Sequence, residues 1–172
     1  MWFTKGAKMN PQSQSSETGQ ERVSVETTVR APAAMAWAAW TSPEHIKKWN
    51  AASDDWHCPE ARIDLRPGGT FSYRMEAKDG SFGFDYAGKI DRVDNELGIW
   101  LTLDDGRKVS IEFTAADGAV RVLETFDLEA SSPIELQRQG WQAILDRFAV
   151  YAEELVEASD ARATKLNAEE KR

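Results

Sequence analysis

Two histidines, the single cysteine and two aspartates fall close together in this chain: His45, then Asp54-Asp55, then His57-Cys58. Two chemistries could use such a set. A zinc site draws on about four ligands in spaced pairs such as C-x₂-C or H-x₃-H. One cysteine and two histidines supply no second spaced pair, so no metal site is expected and no cofactor is implied. A nucleophilic Cys58 would need a base that is itself held by an orienting partner. His57 is the adjacent residue, and neighbouring side chains of an extended segment point to opposite faces. His45 reads as a solvated helix position and His57 as a loop residue. No catalytic residue is assigned.

Glu124 stands apart. In the run VRVLETF it shares a face with Val120, Val122 and Phe126, and that face should look inward. A buried carboxylate without compensation is costly, so Glu124 must be paired, protonated or wetted by cavity water. One reading is a polar contact for a ligand; the other is a structural ion pair with an arginine. Gly68-Gly69 in LRPGGTF could suggest a phosphate loop, but that motif needs a following helix, and here a strand pattern follows. Asp85 lies between Phe84 and Tyr86 and should face outward, and Asp64 with Arg66 reads as a surface pair.

Alternation and turn chemistry define the elements that must position these residues. ERVSVETTVR places Val23, Val25 and Val29 on one face of a first strand. Pro32 and Pro43 sit where helices begin, and Ser42 can cap the second, giving two short helices over about 33–41 and 43–49. From 61 to 127 the apolar residues alternate in runs broken at Pro67-Gly68-Gly69, Asp79-Gly80, Asp105-Gly106 and Asp117-Gly118. Asp-Gly favours tight hairpin turns, and runs this close leave no room for crossover helices, so the sheet should be an antiparallel meander. The last element opens with Ser132, Pro133 and Glu135 as a capping box. It carries Trp141, Ile144, Leu145, Phe148, Ala152 and Leu155 as one apolar stripe, and a helix of roughly 25 residues is expected. Gly140 interrupts it, either for close packing against a strand or to leave space beside Trp141.

The bulk numbers narrow the function classes. With 172 residues, 41% hydrophobic and 29% charged, the chain suits one domain. A formal charge of −8 disfavours nucleic acid and anionic membrane surfaces. One cysteine cannot form an internal disulfide, and no segment reaches the roughly 20 apolar residues of a membrane span, so the cytoplasm is the expected location. Residues 1–20 are polar and aperiodic and are expected to be disordered; the domain proper covers 21–158, and 159–172 read as a polar tail.

The pattern resembles a known family. Trp37, Trp40-Thr41, Pro43-Glu44, Ile46 and Trp49 are similar to the signature that follows the first strand of the Hsp90-ATPase-activator-like (AHSA1-like) proteins, within the START/Bet v 1-like superfamily. DLRPGGTFSYRMEAKDGSFGFDYAGKI and QRQGWQAILDRFAVY resemble that family's glycine turn, central strands and closing helix, and the likeness spans about 22–157. The resemblance implies an α+β helix-grip fold: a curved antiparallel sheet of six or seven strands wrapped round a long C-terminal helix, with two short helices after the first strand. It also implies a cavity between sheet and helix. The residues expected to line it are Trp49, Trp56, Phe71, Tyr73, Phe84 and Tyr86, together with Leu101, Phe113, Glu124, Phe126, Trp141 and Leu145. The expected function is binding of a small hydrophobic or aromatic ligand without turnover. A chaperone-associated interaction domain is the first alternative, and an aromatase- or cyclase-type enzyme the second.

Overall fold

The computed structural model describes residues 21–169. The expected disorder of residues 1–20 lies outside them. The elements run β1 (Arg22–Val29), α1 (Ala33–Thr41), α2 (Pro43–Trp49), β2 (Trp56–His57), β3 (Ala61–Ile63), β4 (Thr70–Ala77), β5 (Gly83–Asp94), β6 (Gly98–Leu103), β7 (Lys108–Ala116), β8 (Ala119–Asp127) and α3 (Ile134–Glu169). Alternation placed the long strands and both short helices. The sheet has eight strands rather than six or seven, because β2 and β3 both pair with β4 and are only 2 and 3 residues long. Pieces that short carry no period to read.

Every pairing is antiparallel, in the order β1-β8-β7-β6-β5-β4-β2, so the first strand closes onto the last. The glycines of the Asp-Gly turns, Gly80, Gly106 and Gly118, all have φ between 74° and 89°. Two devices bend the sheet around β5. Its register against β6 shifts between Ile90 and Arg92, which makes Asp91 an extra residue, a bulge that bends the bulged strand. At Gly88 the two strands meet so closely that a Cβ would stand 2.3 Å from the Thr102 carbonyl oxygen.

The bent sheet grips α3 through the buried stripe Leu145, Phe148 and Ala152, packed on β1, α1 and α2. The His45 imidazole and the Tyr151 hydroxyl meet at 2.7 Å and fasten α2 to α3. α3 has 36 residues, about 54 Å, and continues well past the expected end into the segment read as a polar tail. Its start also differs from expectation. No capping box forms at Ser132. Instead the Gln137 side-chain amide donates to the carbonyls of Glu129 (2.8 Å) and Ser132 (2.7 Å), while its oxygen accepts from the Glu129 amide at 2.8 Å. A glutamine has both donor and acceptor, so one side chain ties the whole β8–α3 connection. Ser42, likewise, makes no side-chain cap bond to α2.

Candidate functional site

Curvature leaves a gap that the helix does not fill. α3 lies close against β1 and the short helices, and a cavity of about 240 Å³ opens between its first turns and strands β4 to β8. Its walls hold Tyr73 and Met75 from β4, Phe84 and Tyr86 from β5, and Ile99 and Leu101 from β6. Ile111 and Glu124 come from β7 and β8; Trp40, Trp49 and Asn50 close one side, and Trp141 and Ile144 close the helix side. Phe84 is 45% exposed and marks the mouth.

Of the residues expected here, Trp49, Tyr73, Phe84, Tyr86, Leu101, Glu124 and Trp141 do border the cavity. Phe71, Phe113, Phe126 and Leu145 face inward as expected but are packed behind or beside it. Phe71 leans on Tyr73 and Tyr86 with ring centroids at 5.3 and 5.5 Å. Phe113 meets the edges of Trp37 and Trp40, at 5.4 and 5.9 Å, in the filled part of the core. Phe126 is fully buried, with Trp141 stacked on it at 4.1 Å and 7° between the planes. Leu145 has no exposed surface. Trp56 stands outside, its ring about 6 Å from those of Phe82 (6.0 Å) and Phe84 (6.1 Å) on the rim.

Three cavity residues escaped the sequence reading for a common reason. Asn50 caps α2, Arg107 ends the Asp105-Gly106 turn, and Glu129 lies beyond β8, so none sits in a periodic run. Met75, Ile99 and Ile111 did carry a signal, the same alternation that marked Tyr73 and Leu101.

The polar side chains in the walls are few. Glu124 is 6% exposed and has no hydrogen-bond or ion-pair partner among the described residues, yet neither oxygen is sealed away, so its carboxyl faces the cavity space. Its cross-strand partners are Val25 and Ile111, both buried. Burial pushes its pKa up to about 8. Burial also holds the Tyr73 and Tyr86 hydroxyls above the usual phenol range, Tyr86 with a contribution from the Glu124 charge. Arg107 is engaged by Asp105 at 2.7 Å.

The histidine–cysteine stretch supplies none of this. His57 pairs with Glu76 at 3.1 Å. Cys58 is buried, its Sγ donates to the Glu60 carbonyl at 3.3 Å, and burial pushes its thiol up to about 11. The expected surface pair of Asp64 with Arg66 forms at 2.8 Å, and Asp85 faces out as expected, where it also meets Arg74 at 3.4 Å. A Cβ on Gly140 would meet nothing within 4 Å, which removes close packing as its reason. It borders a shallow second hollow with Leu136, and Trp141 and Ile144 lie between that hollow and the cavity.

Comparison with known proteins decides the family. The profile of the family described as activator of Hsp90 ATPase homolog 1-like protein matches residues 30–153. The chain belongs to this family. Among solved structures, the AHSA1-like protein of Aeromonas hydrophila is 42% identical, over 78% of this chain and 94% of that one, with a TM-score of 0.74. A protein of Cytophaga hutchinsonii is 46% identical over 79% and 94% of the two chains, with a TM-score of 0.68. A Nitrosomonas europaea protein, 20% identical over 77% and 94% with a TM-score of 0.67, shares the fold. No curated protein matches the chain. The activator-like family thus has here the helix-grip architecture, with a curved sheet around a long closing helix. Among the described residues, no helix is long and apolar enough to cross a membrane.

Proposed function

We propose that this activator-like protein binds a small hydrophobic or aromatic molecule in the cavity between sheet and α3, without turnover. Helix-grip proteins of this kind generally bind hydrophobic ligands. The observation that carries the reading is a void of about 240 Å³ walled by rings and bordered by a nearly buried carboxyl and two tyrosines whose polar atoms have no partner among the described residues. A few convergent polar groups in apolar walls are what orient a small ligand. Absence of turnover is supported by the chemistry of the walls. Tyr73 and Tyr86 are held protonated at neutral pH, and Glu124, the group nearest neutrality, has no orienting partner among the described residues. The lone, buried and unpaired Cys58 supports a reducing compartment, hence the cytoplasm. Native mass spectrometry and titration with a panel of apolar and aromatic compounds test the reading. Fluorescence and NMR changes are expected at Trp49, Tyr86, Glu124 and Trp141; no response from any compound at millimolar concentration would remove it.

A second reading has its own observation. Phe82 is 63% exposed and meets Phe84 and Trp56 in an aromatic group on the rim. Such a patch suits a protein partner, and the family's name points to Hsp90. On this reading a Phe82→Ser chain loses binding to purified Hsp90 and keeps any small-molecule response.

A further inference from the structure

The chemistry of the cavity walls narrows the ligand further, on the premise that the cavity is a binding site. We infer that the ligand carries a protonated amine on a flat apolar body, with the ammonium against Glu124 and the body between Trp141, Tyr73 and Tyr86.

Charge balance is the first ground. Glu124 projects from β8, the strand next to edge strand β1, flanked on its own strand face by Val122 and Phe126 and across it by Val25 and Ile111, all buried and apolar. No cation meets it. Among the described residues the one cationic side chain in the walls, Arg107, is engaged by Asp105 through a 2.8 Å hydrogen bond from its Nε. A second carboxylate, Glu129, borders the same space, and a serine hydroxyl, that of Ser131, is its side chain's contact. Glu124 is therefore a carboxyl with no cationic partner among the described residues. An anionic ligand would bring a third acidic group beside the two in the walls; a neutral one would leave Glu124 without a partner cation; an ammonium supplies one.

Ring chemistry is the second ground. Trp40, Trp49, Tyr73, Phe84, Tyr86 and Trp141 all border the void. Aromatic faces attract a cation, tryptophan most strongly, and gain strength when water is excluded. Rings around a buried carboxyl form a setting that favours an ammonium over its neutral isostere. A cavity of about 240 Å³ has room for a one- or two-ring amine rather than a long lipid.

Binding then moves a proton. In the empty site at neutral pH, burial keeps Glu124 mainly as the carboxylic acid. An alkylammonium remains charged there, as lysine does. Pairing requires the carboxylate, so the acid proton leaves to solvent as the ammonium arrives: carboxylic acid plus ammonium gives an ion pair plus one proton. The other titratable groups among the lining residues are Tyr73 from β4, Tyr86 from β5, Arg107 from the β6–β7 turn, itself paired with Asp105, and Glu129 beyond β8. Both tyrosines stay neutral through pH 8, and Asp105 is held low by its arginine. Among the lining residues, β3, β6, β7, the short helices and α3 contribute apolar side chains and the Asn50 amide.

Naphthylethylamine, naphthylethanol and naphthylacetate form a cationic, neutral and anionic series on one ring system. Isothermal titration of all three between pH 6 and 9, in buffers of different ionisation enthalpy, reads both affinity and proton release. The amine should bind on the order of ten- to a hundred-fold tighter than the alcohol at pH 8, the range of a charge-assisted hydrogen bond, and the acetate weakest. Amine affinity should rise with pH up to about 8, with close to one proton released per amine at pH 7. Glu124→Gln should bring amine and alcohol within about three-fold of each other and erase the pH slope. Its fold is checked by circular dichroism, and proton release by the unaltered protein tests the same point without any variant. Alcohol or acetate binding as tightly as the amine, or amine binding without proton release, overturns the inference and leaves the cavity reading standing. If none of the three binds, and the wider panel also fails, the cavity reading falls with it.

Discussion

The two halves of the interior obey different rules although one helix serves both. At the far end, Phe148 is fully buried, with Trp40 and Trp49 ring centroids at 4.7 and 5.1 Å, both edge-on, and Phe113 completes the group through Trp40. The Trp49 indole N–H is spent on the Ala39 carbonyl at 2.9 Å. Phe148 and Phe113 are packed all round there, while Trp40 and Trp49 also border the cavity and mark where the packed end begins. Nearer the start of α3, rings of similar size border space, and the hydroxyls of Tyr73 and Tyr86 and the carboxyl of Glu124 have no partner among the described residues. The first end follows the general rule that interiors are close-packed and polar groups satisfied. The second departs from both halves of that rule in one place. Composition does not separate the two ends, since both are aromatic. What separates them is whether the sheet bends away from the helix.

The largest effect should come from breaking the packed end. Phe148→Ala leaves a cavity where three rings met and should cost roughly 3–5 kcal/mol, a melting point lower by about 10 °C or more by calorimetry. The open end should answer differently, through pH. The Glu124 pKa is raised on folding, so between about 4.5 and 8 the folded chain holds a proton that the unfolded chain has lost. Stability therefore falls as pH rises through that window, by at most about 1.4 kcal/mol per unit, and the penalty is absent below it. Glu124→Gln should match the parent near pH 4 and exceed it by roughly 2–4 kcal/mol near pH 8, read from urea unfolding at each pH. A parent whose stability does not fall relative to the variant would mean that Glu124 is paired after all.

Trp141 belongs to both ends, stacked on buried Phe126 by one face and bordering the cavity. Trp141→Ala should cost only about 1–2 kcal/mol of stability, because the residue is half-buried, while changing the affinity of any cavity ligand at least several-fold. The smallest effect should be a gain. Gly140→Ala places its methyl in open space and removes the glycine penalty of a helix interior, for about 0.5–1 kcal/mol and a melting point higher by 1–3 °C. A loss there would show that the helix sits closer to its surroundings when a ligand is in place.

Alternation told which side of the sheet each residue faces, and did so well: Tyr73, Tyr86, Leu101 and Glu124 all turned inward. It carries no information about depth. Phe71, Phe113 and Phe126 have the same signal as their cavity-lining neighbours and are buried among other rings. Depth depends on where a bent sheet parts from a straight helix, a property of many residues together. Loop groups were invisible for another reason. Asn50, Arg107 and Glu129 reach the cavity through turns, and Gln137 replaced the expected cap because a side chain four positions into the helix segment could fold back on the chain before it. The exposed C-terminal turns of α3 were read as a tail since a solvated helix has no apolar period to show.

The bulge at Asp91 separates two properties that usually change together. Ile90 points in, Asp91 and Arg92 both lie on the outer side, and Val93 turns in again. Remove Asp91, and Ile90 still opposes Leu101, Arg92 still opposes Trp100, and no side chain changes face. Only the bend is lost. A single-codon deletion would thus flatten the sheet toward α3 while every lining residue kept its identity and orientation, and a lineage could shrink or enlarge its cavity by insertion and deletion without rewriting the wall. In β4, opposed on both sides with no such spare residue, the same one-residue change would turn Tyr73 and Met75 outward. Length variation among relatives should therefore be tolerated at the bulge and in the turns, and excluded from the middle of β4.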